Sequence, residues 1–237
     1  MRLVADLHVH TVSSGHAYST VKEYVDRAKK IGLKAIGISD HGPAMPGGPH
    51  AYHFSNMKMI PDKIDGVRIY RGVEANVIDA AGKIDLTEDD LARLDIVMLA
   101  MHPRCGYENQ GEEKNTEVLV KALENRYINV IAHPGNPKYP VNLEQVVAIA
   151  KEKKVVLEVN NSSFTSRVGS WPRCLELAKE VKRQNWKVVL GTDSHIFTML
   201  GHFDDALKLI REAGLTEEHV INTSFDKIDK YLLRRGG

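Results

Sequence analysis

The chain has 237 residues, of which 43% are hydrophobic, and α/β barrels of this length form a single domain around one core. Its 32 basic and 31 acidic residues give a net charge of +1, and no run of like charge is long enough for a nucleic-acid or membrane track. The composition therefore favours a small-molecule partner over nucleic acid or membrane, and it is compatible with a homo-oligomer.

The first predicted strand ends in the stretch Asp6-Leu7-His8-Val9-His10. Because side chains alternate faces along a strand, His8 and His10 are expected to point the same way, with Leu7 and Val9 packed on the other side. Two imidazoles on one face form a potential metal clamp. A pair of ordinary surface histidines is the alternative, and the rest of the chain decides between them.

A helix is predicted over Thr20 to Ile31, because its apolar residues recur at helical spacing. Thr20 and Glu23 fit a capping box at its start, and Gly32 fits its end. The pattern over His50 to Met59 is weaker, and its conformation is left open.

Strands and helices alternate along the remaining chain. Six further apolar runs are predicted as strands: Ala35 to Ile38, Val67 to Val73, Ile96 to Met101, Ile128 to Ala132, Val155 to Val159 and Val188 to Gly191. Helices are predicted over Thr116 to Asn125, Leu143 to Lys153, Pro172 to Gln184, Phe203 to Ala213 and Ser224 to Arg235. This alternation indicates a parallel sheet with right-handed crossovers, and seven such units favour a closed barrel over an open doubly wound sheet.

Six of the seven predicted strands have a His, Asp or Glu at or just beyond the carboxyl end. These residues are His8, His10, His41, Glu74, His102, His133, Asp193 and His195. In α/β barrels the carboxyl ends of the strands meet at one mouth, where the active site is built. His16 lies in the loop after the first strand and joins this set on weaker geometric grounds.

Imidazole and carboxylate ligands suit zinc, with manganese or iron as second choices, and the lack of cysteine ligands argues against a closed structural zinc site. Nine candidate ligands are too many for one ion, so their number indicates two or three divalent ions with open positions for water. Such ions carry more positive charge than Glu74 and Asp193 neutralise. The surplus favours an anionic substrate such as a phosphate ester, attacked by metal-bound hydroxide without a covalent intermediate.

Several motifs together resemble one known family. They are D-L-H-V-H at the start, S-D-H after the second strand, the lone Glu74, H-P after the fourth and fifth strands, and G-T-D-S-H after the seventh. In this pattern the chain resembles the PHP (polymerase and histidinol phosphatase) superfamily from about residue 3 to about residue 235. Longer stretches around His16, Asp40, Glu74, His133 and Glu158 resemble its YcdX-like phosphatase branch.

The resemblance implies a distorted (β/α)7 TIM-like barrel, with residues 1–237 forming a single PHP-like hydrolase domain around a trinuclear, zinc-type site. The implied ligand sets are His8, His10, Glu74 and Asp193 for one ion, Glu74, His102 and His133 for a second, and His16, His41 and His195 for a third. This grouping by ion comes from the resemblance alone.

Residues that follow site-facing strands are candidates for binding substrate. Arg104, Lys138 and Arg167 could hold phosphate oxygens, Arg through a bidentate fork and Lys as a point charge. Asn160, Asn161 and Ser162 end the strand that has no proposed ligand and are expected to line the pocket.

Other polar residues near the strand ends receive weaker assignments. Asp6, on the presumed face of His8 and His10, and Asp40, before His41, could each orient a ligating imidazole. Four histidines without a strand-end position are assigned to loops or the surface: His50, His53, His202 and His219.

Location and redox state are read from the cysteines and the apolar runs. Cys105 and Cys174 are too few for a disulfide framework and agree with a reducing compartment. Neither has an arginine six positions later, as a cysteine-nucleophile phosphatase loop requires. No apolar run approaches the roughly 20 residues that cross a bilayer, and the first residues lack a signal-peptide core. We expect a cytoplasmic protein.

The leading hypothesis is a metal-dependent phosphoesterase acting on a small phosphorylated molecule. A metal-dependent amidohydrolase also begins with H-x-H, but that class usually bridges its metals with a strand-borne lysine, and no lysine ends a predicted strand here. Nuclease or proofreading activity, as in some relatives of the superfamily, lacks a basic track. A metal-storage module would not need a converging open site.

Overall fold

The computed structural model describes residues 1–232 and contains one mainly parallel sheet. Its strands are β1 (Ala5–Val9), β2 (Ala35–Ile38), β3 (Lys63–Ile64), β4 (Val67–Asn76), β5 (Ile96–Ala100), β6 (Val130–Ile131), β7 (Val156–Asn160) and β8 (Val188–Gly191). The order across the sheet is β1-β2-β4-β5-β6-β7-β8, with neighbouring strands parallel, whereas β3 pairs antiparallel with β4. All seven predicted strands are therefore confirmed, within a nearly closed α/β barrel.

The antiparallel strand β3 was not predicted. It forms a hairpin with β4 through Asp65 and Gly66, whose φ angles of 48° and 89° lie in the left-handed region. Asp-Gly is a strong signal for such a two-residue turn, but each flank is too short or too polar to be recognised as a strand.

The described helices cover the outside of the sheet and its amino-terminal end. They are α1 (Val21–Ile31), α2 (Ala51–Asn56), α3 (Glu88–Leu91), α4 (Glu112–Ala122), α5 (Leu143–Lys153), α6 (Ser163–Ser166), α7 (Ser170–Arg183), α8 (Asp204–Glu212) and α9 (Phe225–Leu232). None of these helices, within residues 1–232, is long and apolar enough to cross a membrane. The cytoplasmic location stays a prediction.

The helix predictions agree with most of these bounds. The capping box of Thr20 and Glu23 is present in α1, and Gly32 ends that helix with a φ of 81°. The stretch left open over His50 to Met59 forms α2 and a 3₁₀ turn, while α3 and α6 are single turns that the patterns did not indicate. Residues 233–235 of the predicted closing helix lie outside the described residues.

The barrel closes where β1 meets β8. Near the carboxyl ends, the backbone N–H of His10 donates to the carbonyl of Ser194 at 2.8 Å. Nearer the amino ends, the buried Asn222 side chain fills the gap: its Nδ2 donates to the carbonyls of Ala5 (2.9 Å) and Leu190 (2.8 Å), and its Oδ1 accepts from the Leu190 N–H (3.2 Å). The side-chain amide of Asn222 thus takes the place of backbone hydrogen bonds between β1 and β8.

A β-bulge in β1 decides which side chains face the mouth. Asp6 is paired with Ile36 and Val9 with Ile38, so Leu7 and His8 together oppose one residue of β2. That residue is a glycine, Gly37, and a Cβ there would lie 2.7 Å from the carbonyl oxygen of Leu7. Bulges of this kind re-aim side chains beside active sites.

The bulge corrects the expected alternation of side chains in β1. Leu7 packs with Ala5 in the apolar cluster inside the barrel, whereas Val9 belongs to the cluster between the sheet and the helices. Leu7 and Val9 therefore do not share a face. Asp6 in turn bonds to Thr192 and Gly201 on the far side from the imidazoles.

Replacing Asn222 by alanine should destabilise the barrel. Asn222→Ala removes three hydrogen bonds and leaves buried backbone groups of β1 and β8 without partners, which should lower the free energy of unfolding by about 3 kcal/mol. Denaturant titration measures the change, with Asn56→Ala as the control because Asn56 is exposed and makes no side-chain capping bond. Equal losses in both variants would contradict the role of Asn222 in closure.

Candidate metal centre

The nine predicted ligands lie together at the carboxyl ends of the strands. They are His8, His10, His16, His41, Glu74, His102, His133, Asp193 and His195, and each lies within contact distance of at least one other member of the set. All except His16 and His195 are buried. The prediction of one shared mouth is confirmed in its geometry.

Glu74, at the end of β4, occupies the centre of this group. Its Oε1 lies 2.7 Å from His133 Nε2 and 3.5 Å from His102 Nε2, and its Oε2 lies 2.8 Å from His41 Nδ1 and 3.5 Å from His8 Nε2. Oε1 thus faces two imidazoles, and Oε2 faces three, because His10 Nε2 also lies 3.6 Å from it. A carboxylate placed in this way could bridge two cations.

Asp193, after β8, is the second carboxylate of the site. Its Oδ1 lies 3.1 Å from His10 Nε2 and 3.6 Å from both His8 Nε2 and His195 Nδ1. Its other oxygen, Oδ2, pairs with Arg167 at 3.1 Å. Asp193 has a φ of 52° in the left-handed region, a strained conformation that is found preferentially at functional sites.

His16, the candidate on weaker grounds, stands at the exposed edge of the site. Its ring centroid lies 4.9 Å from that of His41 and 5.0 Å from that of His195. The loop after β1 therefore brings His16 to the other ligand candidates, although His16 does not follow a strand end.

The tautomer of His8 is set by a carboxylate that sequence reasoning missed. Glu158, in the middle of β7, accepts from His8 Nδ1 at 2.7 Å. A carboxylate can only accept, so the Nδ1 of His8 carries a proton and its Nε2 faces the site. The other oxygen of Glu158 accepts from the backbone N–H of His133 at 2.9 Å. The sequence signal for this role was an acidic residue inside the otherwise apolar run of β7.

His10 and His102 are oriented through an intermediate polar residue. Ser14 Oγ donates to Asp40 at 2.7 Å and so accepts from His10 Nδ1 at 3.2 Å. In the same way, the amide of Asn76 donates to Asp85 at 2.6 Å, which turns its Oδ1 toward His102 Nδ1 at 2.8 Å. Both imidazoles therefore point Nε2 into the site.

These contacts agree with the prediction that Asp40 orients an imidazole, that of His10 through Ser14, and they correct the roles expected for Asp6 and His53. Asp40 does not orient the following His41; it binds Thr11, Ser14 and His53. His53, assigned to a loop or the surface, lies on α2 and reaches Asp40 at 3.2 Å. Asp6, as the bulge requires, contacts no imidazole among residues 1–232.

Three buried atoms of the site make no hydrogen bond in the part of the chain that the structure describes: His41 Nδ1, Glu74 Oε2 and Asp193 Oδ1. The 2.8 Å contact between His41 Nδ1 and Glu74 Oε2 and the 3.1 Å contact between His10 Nε2 and Asp193 Oδ1 are close but do not have hydrogen-bond geometry. Beside them, His8 Nε2 and His10 Nε2 lie 3.0 Å apart, at hydrogen-bonding distance. Burying polar atoms without partners is costly. Lone pairs that converge in this way fit cations, and the donor set of imidazole and carboxylate suits zinc, manganese or iron.

The electrostatics of the site favour positive charge at its centre. Burial by itself would raise the pKa of Glu74, but the imidazoles of His102 and His8 outweigh it and hold that pKa well below the usual range. Burial is likewise outweighed at Asp193, chiefly by His8, and its pKa is also well below normal. Burial lowers the pKa of His10 to about 3. The two carboxylates are thus ionised and face a neutral His10.

Three groups within the site each bring three ligand atoms to within 4.8 Å of one another. They are His8, His10 and Asp193; His41, Glu74 and His102; and His10, His41 and His195. The first group is a subset of one ligand set implied by the resemblance. The other two combine residues that the resemblance assigns to different ions, so the geometry supports multiple sites without fixing the grouping.

The five predicted substrate-binding residues differ in their positions. Asn160 is buried, and its Nδ2 donates to Glu158 and Asp193, while Arg167 lines the cavity above the site. Asn161 turns away, since its side chain accepts from the backbone N–H of Ala206 in α8.

The two remaining candidates, Arg104 and Lys138, are exposed and are not among the residues that line this cavity. In each case the loop is held through the backbone: the N–H of Arg104 donates to Glu108, and that of Lys138 donates to Asn136. Their substrate contacts stay predictions.

Comparisons with known proteins agree on one family. The PHP domain model matches residues 6–233. A protein of Caldanaerobacter subterraneus subsp. tengcongensis named probable phosphatase is 48% identical over 233 residues, covering 98% of this chain and 92% of that protein. Another of the same name, from Acetivibrio thermocellus, is 46% identical over 235 residues, covering 99% and 97%.

The fold is also similar to that of a solved enzyme. The crystal structure of histidinol phosphate phosphatase from Lactococcus lactis, in complex with zinc, L-histidinol and phosphate, has a TM-score of 0.65 to this chain at 19% sequence identity. The match covers 90% of this chain and 94% of that one. At this identity the similarity concerns the fold alone.

Replacing Glu158 by glutamine tests its role in orienting His8. Glu158→Gln keeps the volume but places an amide NH2 among three donors, so His8 should lose its fixed tautomer and metal affinity should fall by about 10–100-fold. Isothermal titration of chelator-stripped protein with zinc measures this. Glu124→Gln, on the exposed surface, is the control, and unchanged affinity in Glu158→Gln would contradict the orienting role.

Proposed function

Since the chain belongs to the PHP domain family, we propose that it is a metal-dependent phosphatase that hydrolyses a small phosphorylated substrate at a trinuclear site. One observation carries the proposal: buried imidazole nitrogens and carboxylate oxygens converge on a common centre, and three of these atoms make no hydrogen bond in residues 1–232. The names of the relatives support the reaction class, and the zinc and phosphate in the Lactococcus lactis enzyme support the kind of site.

The residues that would hold the ions are His8, His10, His16, His41, Glu74, His102, His133, Asp193 and His195. Divalent ions there, zinc first with manganese or iron as alternatives, would supply ionised water near neutral pH and positive charge for the phosphoryl oxygens. Arg167 adds a cationic guanidinium in the cavity wall, within 3.1 Å of Asp193 Oδ2. Its fork suits a phosphate oxygen.

Direct attack by water on phosphorus fits the side chains that are present. Both cysteines are buried, and burial raises the pKa of Cys105 and of Cys174 to about 12, so neither thiol is a nucleophile at neutral pH. The two carboxylates that line or floor the site, Glu74 and Asp193, face imidazoles and Arg167. In the reaction the water oxygen bonds to phosphorus, the bond to the ester oxygen breaks, and the alcohol leaves with a proton.

The alternative hypothesis, a metal-dependent amidohydrolase, has less support. That class commonly bridges its metals with a lysine, and none of the residues lining the cavity in the described chain is a lysine. Glu74 stands at the central position instead. A nuclease would need a basic track, which the balanced charge of the chain does not supply.

We expect close to three divalent ions per chain in protein purified without chelator, with phosphate release restored to stripped protein by zinc or manganese. Glu74→Gln removes a negative charge from among the imidazoles and should lower bound metal and phosphate release, the latter by at least about 100-fold. Elemental analysis and a phosphate assay measure both.

Glu212→Gln is the matched control for Glu74→Gln, because Glu212 is exposed on α8. One ion or none per chain, not increased by added zinc or manganese, would refute the trinuclear site. Full metal content and activity in Glu74→Gln would refute the bridging role.

Direct attack also predicts where solvent oxygen goes. In a single turnover with enzyme in excess, in water labelled with oxygen-18, the label should enter the released phosphate and no phosphorylated protein should accumulate. Mass spectrometry of phosphate and of intact protein measures both products. A trapped acyl phosphate, or label that appears in the protein rather than in phosphate, would overturn direct attack while leaving the metal site intact.

A further inference from the structure

A cavity of about 460 Å³ opens above the metal centre. Its floor contains His41, His102 and Asp193, and its volume suits a small molecule. Its lining differs in chemistry from place to place. Ser162, Thr165, Ser166 and Arg167, which follow β7, form a first, polar wall, whereas Met45, Pro103 and Met199, from the loops after β2, β5 and β8, add apolar surface.

The hydroxyls of the first wall present acceptors to the cavity. Ser162 Oγ donates to the carbonyl of Thr192 at 2.7 Å, and both Thr165 Oγ1 (3.2 Å) and Ser166 Oγ (2.7 Å) donate to the carbonyl of Ser162. A hydroxyl has one proton, so each oxygen keeps only lone pairs for a ligand. This wall therefore matches ligand groups that donate hydrogen bonds.

The charges around the cavity argue against an ammonium group as the hydrogen-bond donor of the substrate. Asp193 is the one carboxylate that lines the cavity within residues 1–232, and its Oδ2 already accepts from Arg167 and Asn160. No carboxylate of the lining is left to pair with a substrate ammonium. The Arg167 guanidinium and the cations proposed for the floor would repel such a group.

We infer that the leaving group of the substrate is a neutral alcohol carrying further hydroxyls, as in a polyol or sugar phosphate, and not an amino alcohol. This inference rests on the proposed phosphatase function. Hydroxyls of the substrate donate to the Ser162, Thr165 and Ser166 oxygens, while its C–H groups lie against the apolar surface of the two methionines and Pro103. The phosphate end faces the floor and Arg167.

An isosteric pair of esters tests the inference directly. Hydroxyethyl phosphate and phosphoethanolamine differ in a terminal hydroxyl against an ammonium. We expect kcat/KM to be at least about tenfold higher for hydroxyethyl phosphate with the zinc- or manganese-loaded enzyme. The ammonium makes ethanolamine a better leaving group than ethylene glycol, so this preference would report recognition and not intrinsic reactivity.

Binding supplies a readout that is independent of turnover. Hydroxypropylphosphonate and aminopropylphosphonate are the non-hydrolysable counterparts of the two esters. By calorimetry the hydroxyl compound should bind at least about fivefold more tightly. Equal or tighter binding of the amine would overturn the inference.

A charge placed on the hydroxyl wall should change the preference. Thr165 is exposed at the wall, and Thr165→Asp supplies the missing carboxylate, so the ratio of kcat/KM values should shift toward phosphoethanolamine by about fivefold. Thr165→Asn, which has the same shape and no charge, should leave the ratio near that of the parent. Ser55→Ala is a further control, since Ser55 also donates to a backbone carbonyl but does not line the cavity.

The outcomes separate the inference from the function on which it rests. Metal-dependent phosphate release that is equal for both esters, or faster for phosphoethanolamine or histidinol phosphate, would overturn the inference and leave the phosphatase proposal standing. Absence of release from every phosphomonoester, with zinc or manganese bound, would overturn both. A ratio that shifts equally in Thr165→Asp and Thr165→Asn would show that charge on this wall does not set the preference.

Discussion

The structure depends on a convergence of buried ring nitrogens and carboxylate oxygens, some of which make no hydrogen bond within residues 1–232. The Nε2 atoms of His8 and His10 approach to 3.0 Å beside Glu74 and Asp193, whose inner oxygens have no donor among the described residues. A buried acceptor without a donor costs free energy unless a positive charge lies beside it. The surrounding fold therefore has to hold these groups against their own repulsion.

Three carboxylates behind the imidazoles do this. Glu158 holds His8 directly, Asp40 holds His10 through Ser14, and Asp85 acts on His102 through an asparagine amide. Each belongs to a different part of the barrel, so the histidine tautomers become defined only when distant segments have come together. The same bonds that orient the site thus also join β1 to β7, the loop after β1 to the end of β2, and β4 to the loop that follows it.

The seven parallel strands, most helices and eight of the nine ligand candidates could be predicted from the sequence because each follows from a local pattern, whereas His16 lies in a loop and was included on weaker grounds. Apolar runs marked the strands, and the chemical type of the residue after each run marked the ligands. The β-bulge could not be found in this way, since it depends on Gly37 in the neighbouring strand, and it moved Asp6 off the face of His8. The orienting role of Asp40 was predicted, but not that it acts on His10 through Ser14, 26 residues away, and Glu158 was missed because its partner His8 lies 150 residues away in sequence.

The two ends of the barrel show what separates structural from functional burial of polar groups. At the amino end, Asn222 is buried between β1 and β8, and each polar atom of its side chain is hydrogen-bonded, so it strengthens closure and has no capacity left for a ligand. At the carboxyl end, Glu74 and Asp193 are equally buried but each keeps an oxygen without a donor in residues 1–232. Residues of similar polarity therefore differ in role according to whether their neighbours satisfy their polar atoms with hydrogen bonds. This difference depends on which strands lie side by side, so it cannot be predicted from local sequence patterns.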